Sequence, residues 1–242
     1  MEEEYAKKIE KNLGGVLSRI RTASGGGEVE LMLATKTVPA EVINYVNESF
    51  GLSLIGENKV QELLEKYPYL DRGKFRIHII GHLQTNKVRQ IIDKVDMIQS
   101  LDRYELALEI SKRAMAKGIK MPVLIEINIG REEQKGGVYP EKAVEFIKEI
   151  SSLEGIDIQG LMTMAPAKIS SEEYKEYFTK TRELFDEIAS LDISGVTMKT
   201  LSMGMSDSFE EAAQCGATMV RVGSAVFGKR EYPENNKEGR MG

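Results

Sequence analysis

The chain has one cysteine, Cys215, and two histidines, His78 and His82, in 242 residues. A single cysteine excludes an internal disulfide and points to a reducing compartment. Two histidines are few for a metal centre, and their placement argues against one. On a strand they share a face, but about 13 Å of rise separates them, beyond the reach of one ion. No metal site is expected. Also absent is any run near the ~18 to 20 apolar residues of a membrane span. The acidic start, Met1-Glu2-Glu3-Glu4-Tyr5, has no apolar stretch of the kind a secretory signal needs. Basic residues are not in excess: 33 Lys and Arg against 38 Asp and Glu give a formal net charge of −5. That balance argues against general affinity for nucleic acid. A cytoplasmic, soluble protein with no nucleic-acid or membrane partner is the expectation.

What is present is an ordinary globular composition, 41% hydrophobic and 29% charged, in a length suited to one domain. Apolar, β-branched runs at 30–36, 52–58, 76–83, 96–101, 121–129, 156–164, 197–203 and 217–223 predict eight strands. Amphipathic segments at 39–49, 59–67, 85–92, 103–117, 141–152, 172–190 and 207–215 predict helices between them. Such alternation implies right-handed βαβ units and a parallel sheet, and eight units in about 250 residues fit a closed (β/α)8 TIM barrel. A doubly wound open sheet is the runner-up, although its Gly-rich loop normally follows the first strand. Residues 5–22 predict an extra N-terminal helix with Ile9, Leu13, Val16 and Ile20 on one face, broken by Gly25-Gly26-Gly27. It is expected to cover the bottom or side of the barrel. The barrel domain is expected over 1–230, with a polar, disordered tail over 231–242.

Two Gly-containing strand ends lie close together near the C-terminus: Leu201-Ser202-Met203-Gly204-Met205-Ser206 and Met219-Val220-Arg221-Val222-Gly223-Ser224. Backbone N–H groups and hydroxyls at such junctions receive anions, and TIM barrels commonly bind phosphate with the loops after strands seven and eight. Lys36 ends the first strand, on the face where barrel enzymes keep their sites. A neutral amine attacks carbonyls to form a Schiff base, and apolar walls favour neutral groups. Taken alone, Lys36 reads as an exposed lysine marking a strand edge, and only its neighbours make it a site candidate. Arg221 shares a strand face with Gly223 and points into the barrel, toward a ligand or toward an acid such as Glu126 or Glu57. Asn58 stands at the mouth as a hydrogen-bonding group or as a helix N-cap. His82 is expected near the pocket and His78 in the core. Lys135, on the loop after strand five, could reach an anion over the mouth, and Lys87 is a second candidate for a transient contact. Met162, Met164, Met198, Met203 and Met205 are mostly core filling. A strand-one amine, a two-loop phosphate cup and a neighbouring cation together suit an aldehyde that carries a phosphate, such as pyridoxal 5′-phosphate (PLP).

The sequence resembles the PLP-binding family whose bacterial members are called YggS and whose animal members are called PLP homeostasis proteins. The resemblance rests on Ala34-Thr35-Lys36-Thr37, on the stretch from Gly56 to Glu62, and on that from Ile80 to Lys87. It rests further on Gly160-Leu161-Met162-Thr163-Met164-Ala165-Pro166, on 201–206, and on 216–228. It implies a single barrel like the N-terminal domain of alanine racemase. Lys36 would form the internal aldimine, and Arg221 would face the pyridine nitrogen. Ser202, Gly223 and Ser224 would hold the phosphate, with Met203 and Asn58 close by. Family members often have Ser at position 35, aromatic residues at 77 and 79, and an acid at 208, where this chain has Thr, Ile, Ile and Ser.

The implied function is PLP homeostasis, as a cofactor carrier or regulator with no robust catalysis and no assigned catalytic residue. The expected state is a monomer, and apo PLP-dependent enzymes are the expected recipients. Arginine stays protonated and leaves the ring nitrogen neutral, which makes the ring a shallow electron sink. Only about twenty residues follow the last strand, too few for the second domain that closes racemase sites. A weak amino-acid racemase is the alternative, and a Schiff-base aldolase acting on sugar phosphates ranks below it.

Overall fold

Eight parallel strands close into one barrel in chain order, in a computed structural model that describes residues 2–71 and 73–228. The strands are β1 (Glu30–Ala34), β2 (Leu54–Glu57), β3 (Arg76–Ile79), β4 (Met97–Leu101), β5 (Met121–Ile127), β6 (Ile156–Thr163), β7 (Val196–Ser202) and β8 (Met219–Val222). The helices are α1 (Glu3–Ala23), α2 (Ala40–Phe50), α3 (Val60–Lys66), α4 (Val88–Ile91), α5 (Tyr104–Ala116), α6 (Ala143–Ile150), α7 (Ser171–Ser190), α8 (Phe209–Gln214) and α9 (Ser224–Phe227). The expected tail, 231–242, lies outside the described residues.

Each expected strand is present, and the helices differ mainly at their starts. The segment expected to be helical from 207 turns first: Ser208 N–H donates to Met205 O, and Met205 N–H donates to Ser208 Oγ, so α8 begins at Phe209. The segment over 85–92 opens with a 3-10 turn, Thr85–Lys87, before α4.

Strand side chains alternate between two faces. One set packs outward against the helices in a continuous apolar layer that includes Leu33, Ile55, Ile79 and Val222. The other set fills the lumen, which is rich in thioethers: Met32 and Met219 pack with Leu54 and Ile80, and Met97 and Met162 with Leu124.

The extra helix covers the side of the barrel. Ile9, Leu13, Val16 and Ile20 of α1 are all buried, each contributing roughly 1.5–3 kcal/mol. Its neighbours are α8 and α9. The Arg19 guanidinium lies 4.7 Å from the Phe209 ring centroid and pairs with Glu210. Asn12 Nδ2 donates to Val226 O at 3.0 Å, and the Tyr5 hydroxyl donates to Phe227 O at 3.2 Å. These bonds occupy carbonyls at the end of α9, which have no intrahelical partner. The added helix thus holds the short element that follows β8.

Candidate cofactor site at the barrel mouth

Lys36 follows β1 and is held through its neighbours on both sides. Thr35 Oγ1 donates to Glu57 Oε1 at 2.6 Å. Thr37 N–H donates to the Glu62 carboxylate. Lys66 bridges the two acids, with Nζ 2.8 Å from Glu57 Oε1, 2.7 Å from Glu62 Oε1 and 2.7 Å from Thr35 O. Thr37 adopts φ +64°, an unfavourable left-handed conformation for a β-branched residue, and the grip on its N–H helps to hold the turn there. Burial pushes the Glu57 carboxyl up, against the opposing pull of Lys66, and Glu57 Oε2 has no hydrogen-bond partner among the described residues.

Arg221 points into the lumen and is buried. Its Nη1 donates to Ser202 Oγ at 2.7 Å, and its Nη2 donates to Thr163 O at 2.7 Å. Neither acid considered from the sequence forms a direct bond with it. Glu57 belongs to the cluster behind Lys36, and Glu126 acts through its field alone. Burial, with help from Asp102, pushes the Glu126 carboxyl up to about 7, while Arg221 pulls the other way. Burial lowers Arg221 to about 10, with Glu126 opposing, so the guanidinium remains a cation at neutral pH.

The loop after β7 is joined to β8 by backbone bonds, Met203 N–H to Met219 O at 3.1 Å and Arg221 N–H to Gly204 O at 3.0 Å. This ladder delivers Ser206 to the start of α9, where Ser206 Oγ accepts from the N–H groups of Gly223 and Ala225, both at 3.2 Å. Gly223 also lets this turn pack closely against β1: a Cβ there would lie 2.8 Å from Ala34 O. Gly81 has the same role across the mouth, since a Cβ would lie 2.4 Å from the backbone oxygen of Asn58. Asn58 is not a helix cap; Lys59 occupies that position, without a side-chain cap bond.

Lys36, Asn58, Ser206, Arg221, Gly223 and Ser224 line one cavity of about 280 Å³, with Ile80 and Met164 on its apolar wall. That volume is at the lower end for ligand pockets, ~300 Å³. Lys36, Gly223 and Ser224 also line a second cavity of about 540 Å³, which reaches Tyr5 and Lys8 of α1. Two expected residues lie elsewhere. Ser202 is fully buried, accepting from Arg221 and donating to Gln99 Oε1 at 2.7 Å, and Met203 belongs to the apolar layer. His82 is exposed and His78 is buried. Lys135 pairs with Glu132. No group of three or more His, Cys, Asp or Glu capable of holding a metal occurs among the described residues.

Ser206 and Gln99 do not emerge from the sequence as site residues. Ser206 stands in a conspicuous motif, but its position against α9 depends on the β7–β8 ladder. Gln99 had a readable signal, a large polar side chain on the lumen side of β4.

A closed barrel with an amine after β1, an arginine on β8 and a two-loop cup defines the class of barrels typified by alanine racemase. The family described as "Alanine racemase, N-terminal domain" matches residues 9–231. The fold alone is shared with alanine racemase of Clostridium difficile 630, with a TM-score of 0.71 at 18% identity over 95% of this chain and 57% of that one. Within the class, the chain belongs to the pyridoxal phosphate homeostasis protein family. It is 46% identical over 227 residues to the pyridoxal phosphate homeostasis protein of Aquifex aeolicus, covering 92% of this chain and 98% of the relative. The Haemophilus influenzae protein of that name is 35% identical, over 93% and 97% of the two chains. PipY of Synechococcus elongatus PCC7942, solved with PLP bound, has a TM-score of 0.80 at 28% identity, over 91% of this chain and 100% of that one.

Proposed function

We propose that this protein binds PLP at the barrel mouth and serves PLP homeostasis by holding and handing on the cofactor. One observation carries the reading: a lysine amine, an arginine fixed by its own hydrogen bonds and the Ser206–Gly223–Ser224 cup line a single cavity. These residues fit the cofactor's three recognisable parts. Bound PLP supplies an aldehyde, with which a primary amine condenses with loss of water. Lys36 is the residue that would hold it there. Ser206, Gly223 and Ser224 would receive the phosphate, and the free N–H groups of Arg221 would donate to the ring nitrogen. Asn58 would orient the ring from the β2 side.

Handing on is supported by the mouth itself, where Lys36 also borders the larger cavity and is accessible to an incoming amine. The recipients would be apo PLP-dependent enzymes. The test mixes the PLP-loaded protein with such an apoenzyme in the presence of a scavenger of free PLP. Recovery of the recipient's activity faster than the scavenged control supports handover. Recovery no faster than from free PLP would leave a binding protein without transfer.

A further inference from the structure

A single-direction hydrogen-bond chain crosses the lumen below the cavity, linking β8, β7, β4 and β3. Arg221 Nη1 donates to Ser202 Oγ at 2.7 Å, and the Ser202 hydroxyl donates to Gln99 Oε1 at 2.7 Å. Gln99 Nε2 meets His78 Nδ1 at 2.9 Å. An amide nitrogen only donates, so Nδ1 must accept and the ring proton must sit on Nε2. That requires a neutral imidazole. Burial, helped by Arg76, lowers His78 to about 3, and the ring is neutral at any ordinary pH. Gln99 Nε2 also lies 3.3 Å from the weak acceptor Met219 Sδ.

We infer that Gln99 and His78 are positioning residues that fix which N–H groups Arg221 presents to the cavity. Neither residue lines the cavity. Gln99 is the hinge of the device: its carbonyl oxygen orients the Ser202 hydroxyl, which leaves the serine lone pairs for Arg221. His78 is the terminal acceptor that keeps the Gln99 amide from turning over. With Nη1 and Nη2 each tied inside the barrel, the remaining guanidinium N–H groups face the ligand in one arrangement. A ring nitrogen with a free lone pair is the partner such an arrangement selects. The inference rests on the PLP reading above.

The test measures affinity for PLP and for its 1-deaza analogue, in which a C–H replaces the ring nitrogen. Wild type, Gln99→Met, His78→Leu and His78→Asn are compared, with thermal melts to establish folding. Methionine matches the shape of glutamine in a lumen already lined with thioethers, and asparagine keeps an acceptor near the place of Nδ1. Wild type is expected to prefer PLP about 10-fold or more, the value of a hydrogen bond from a charged donor. Gln99→Met and His78→Leu are expected to lose most of that preference through weaker PLP binding, with analogue binding unchanged, while His78→Asn retains it. An undiminished preference in Gln99→Met would overturn the inference, and equal behaviour of the two His78 variants would remove His78 from the chain. Failure of wild type to bind either compound would instead overturn the functional reading, and this inference with it.

Discussion

Lys66 Nζ lies 2.8 Å from Glu57 Oε1, and this buried ion pair sits behind the strand end that presents Lys36. With side-chain exposures of 12% and 1%, the pair is shielded from water, and its loss is costly. Lys66→Met is expected to lower the unfolding free energy by about 3 kcal/mol, measured by urea denaturation. Glu57→Gln in the same chain is expected to restore part of that loss, because it removes the stranded charge. A larger loss in the double variant than in the single would show that the pair is not a unit.

Ser206 ties the loop after β7 to the start of α9. Ser206→Ala is expected to weaken PLP binding roughly 10-fold, of the order of one or two hydrogen bonds, and to leave binding of pyridoxal, which has no phosphate, unchanged. Fluorescence titration of both compounds decides the point. An equal loss for both would place Ser206 outside the phosphate cup.

Glu126 makes stability depend on pH. Its ordinary value of 4.5 is raised to about 7 by burial, so the folded state binds a proton that the unfolded state releases between those two values. Stability is therefore fullest below that window and falls as pH rises through it. The displacement corresponds to roughly 3 kcal/mol. Glu126→Gln is expected to be more stable than wild type at about pH 8, by up to that amount, and to match it at about pH 4. Parallel stability curves for the two proteins would contradict the assignment.

Much of the barrel was legible in the sequence because strands and helices advertise themselves locally. Alternating β-branched runs and amphipathic stretches marked the eight strands, and Ile9, Leu13, Val16 and Ile20 marked the buried face of α1. The ends of elements were less legible. The turn before Phe209 depends on Ser208 bonding back to Met205, which competes with helix formation in a way that periodicity does not show. At the mouth, strand parity was enough to aim Arg221 inward but not to find its partners. Ser202 lies 19 residues away in sequence and Thr163 58 residues away, and both meet Arg221 only once the barrel closes. The cluster of Glu57, Glu62 and Lys66 was hidden for the same reason: two of its members read as ordinary charges on α3.

The helix ahead of the barrel has a specific task in this account. Asn12 and Tyr5 bond the last carbonyls of α9, whose first residue, Ser224, lines the cavity with Gly223. Asn12→Ala combined with Tyr5→Phe is expected to cost about 1–2 kcal/mol and to speed amide hydrogen exchange at 224–227 more than in β1. Uniform exchange changes across the chain would point to global loosening and contradict a local role.

The central claim is that Lys36 holds PLP covalently, and the most direct measurement is the absorbance of the PLP-treated protein before and after borohydride, with Lys36→Ala alongside. The account predicts a band near roughly 420 nm in wild type that borohydride abolishes. It also predicts that the reduced protein carries a stable pyridoxyl mass on the peptide containing Lys36, and that the variant shows neither. A wild-type protein that takes up no PLP, or a trapped label at another lysine, would contradict it.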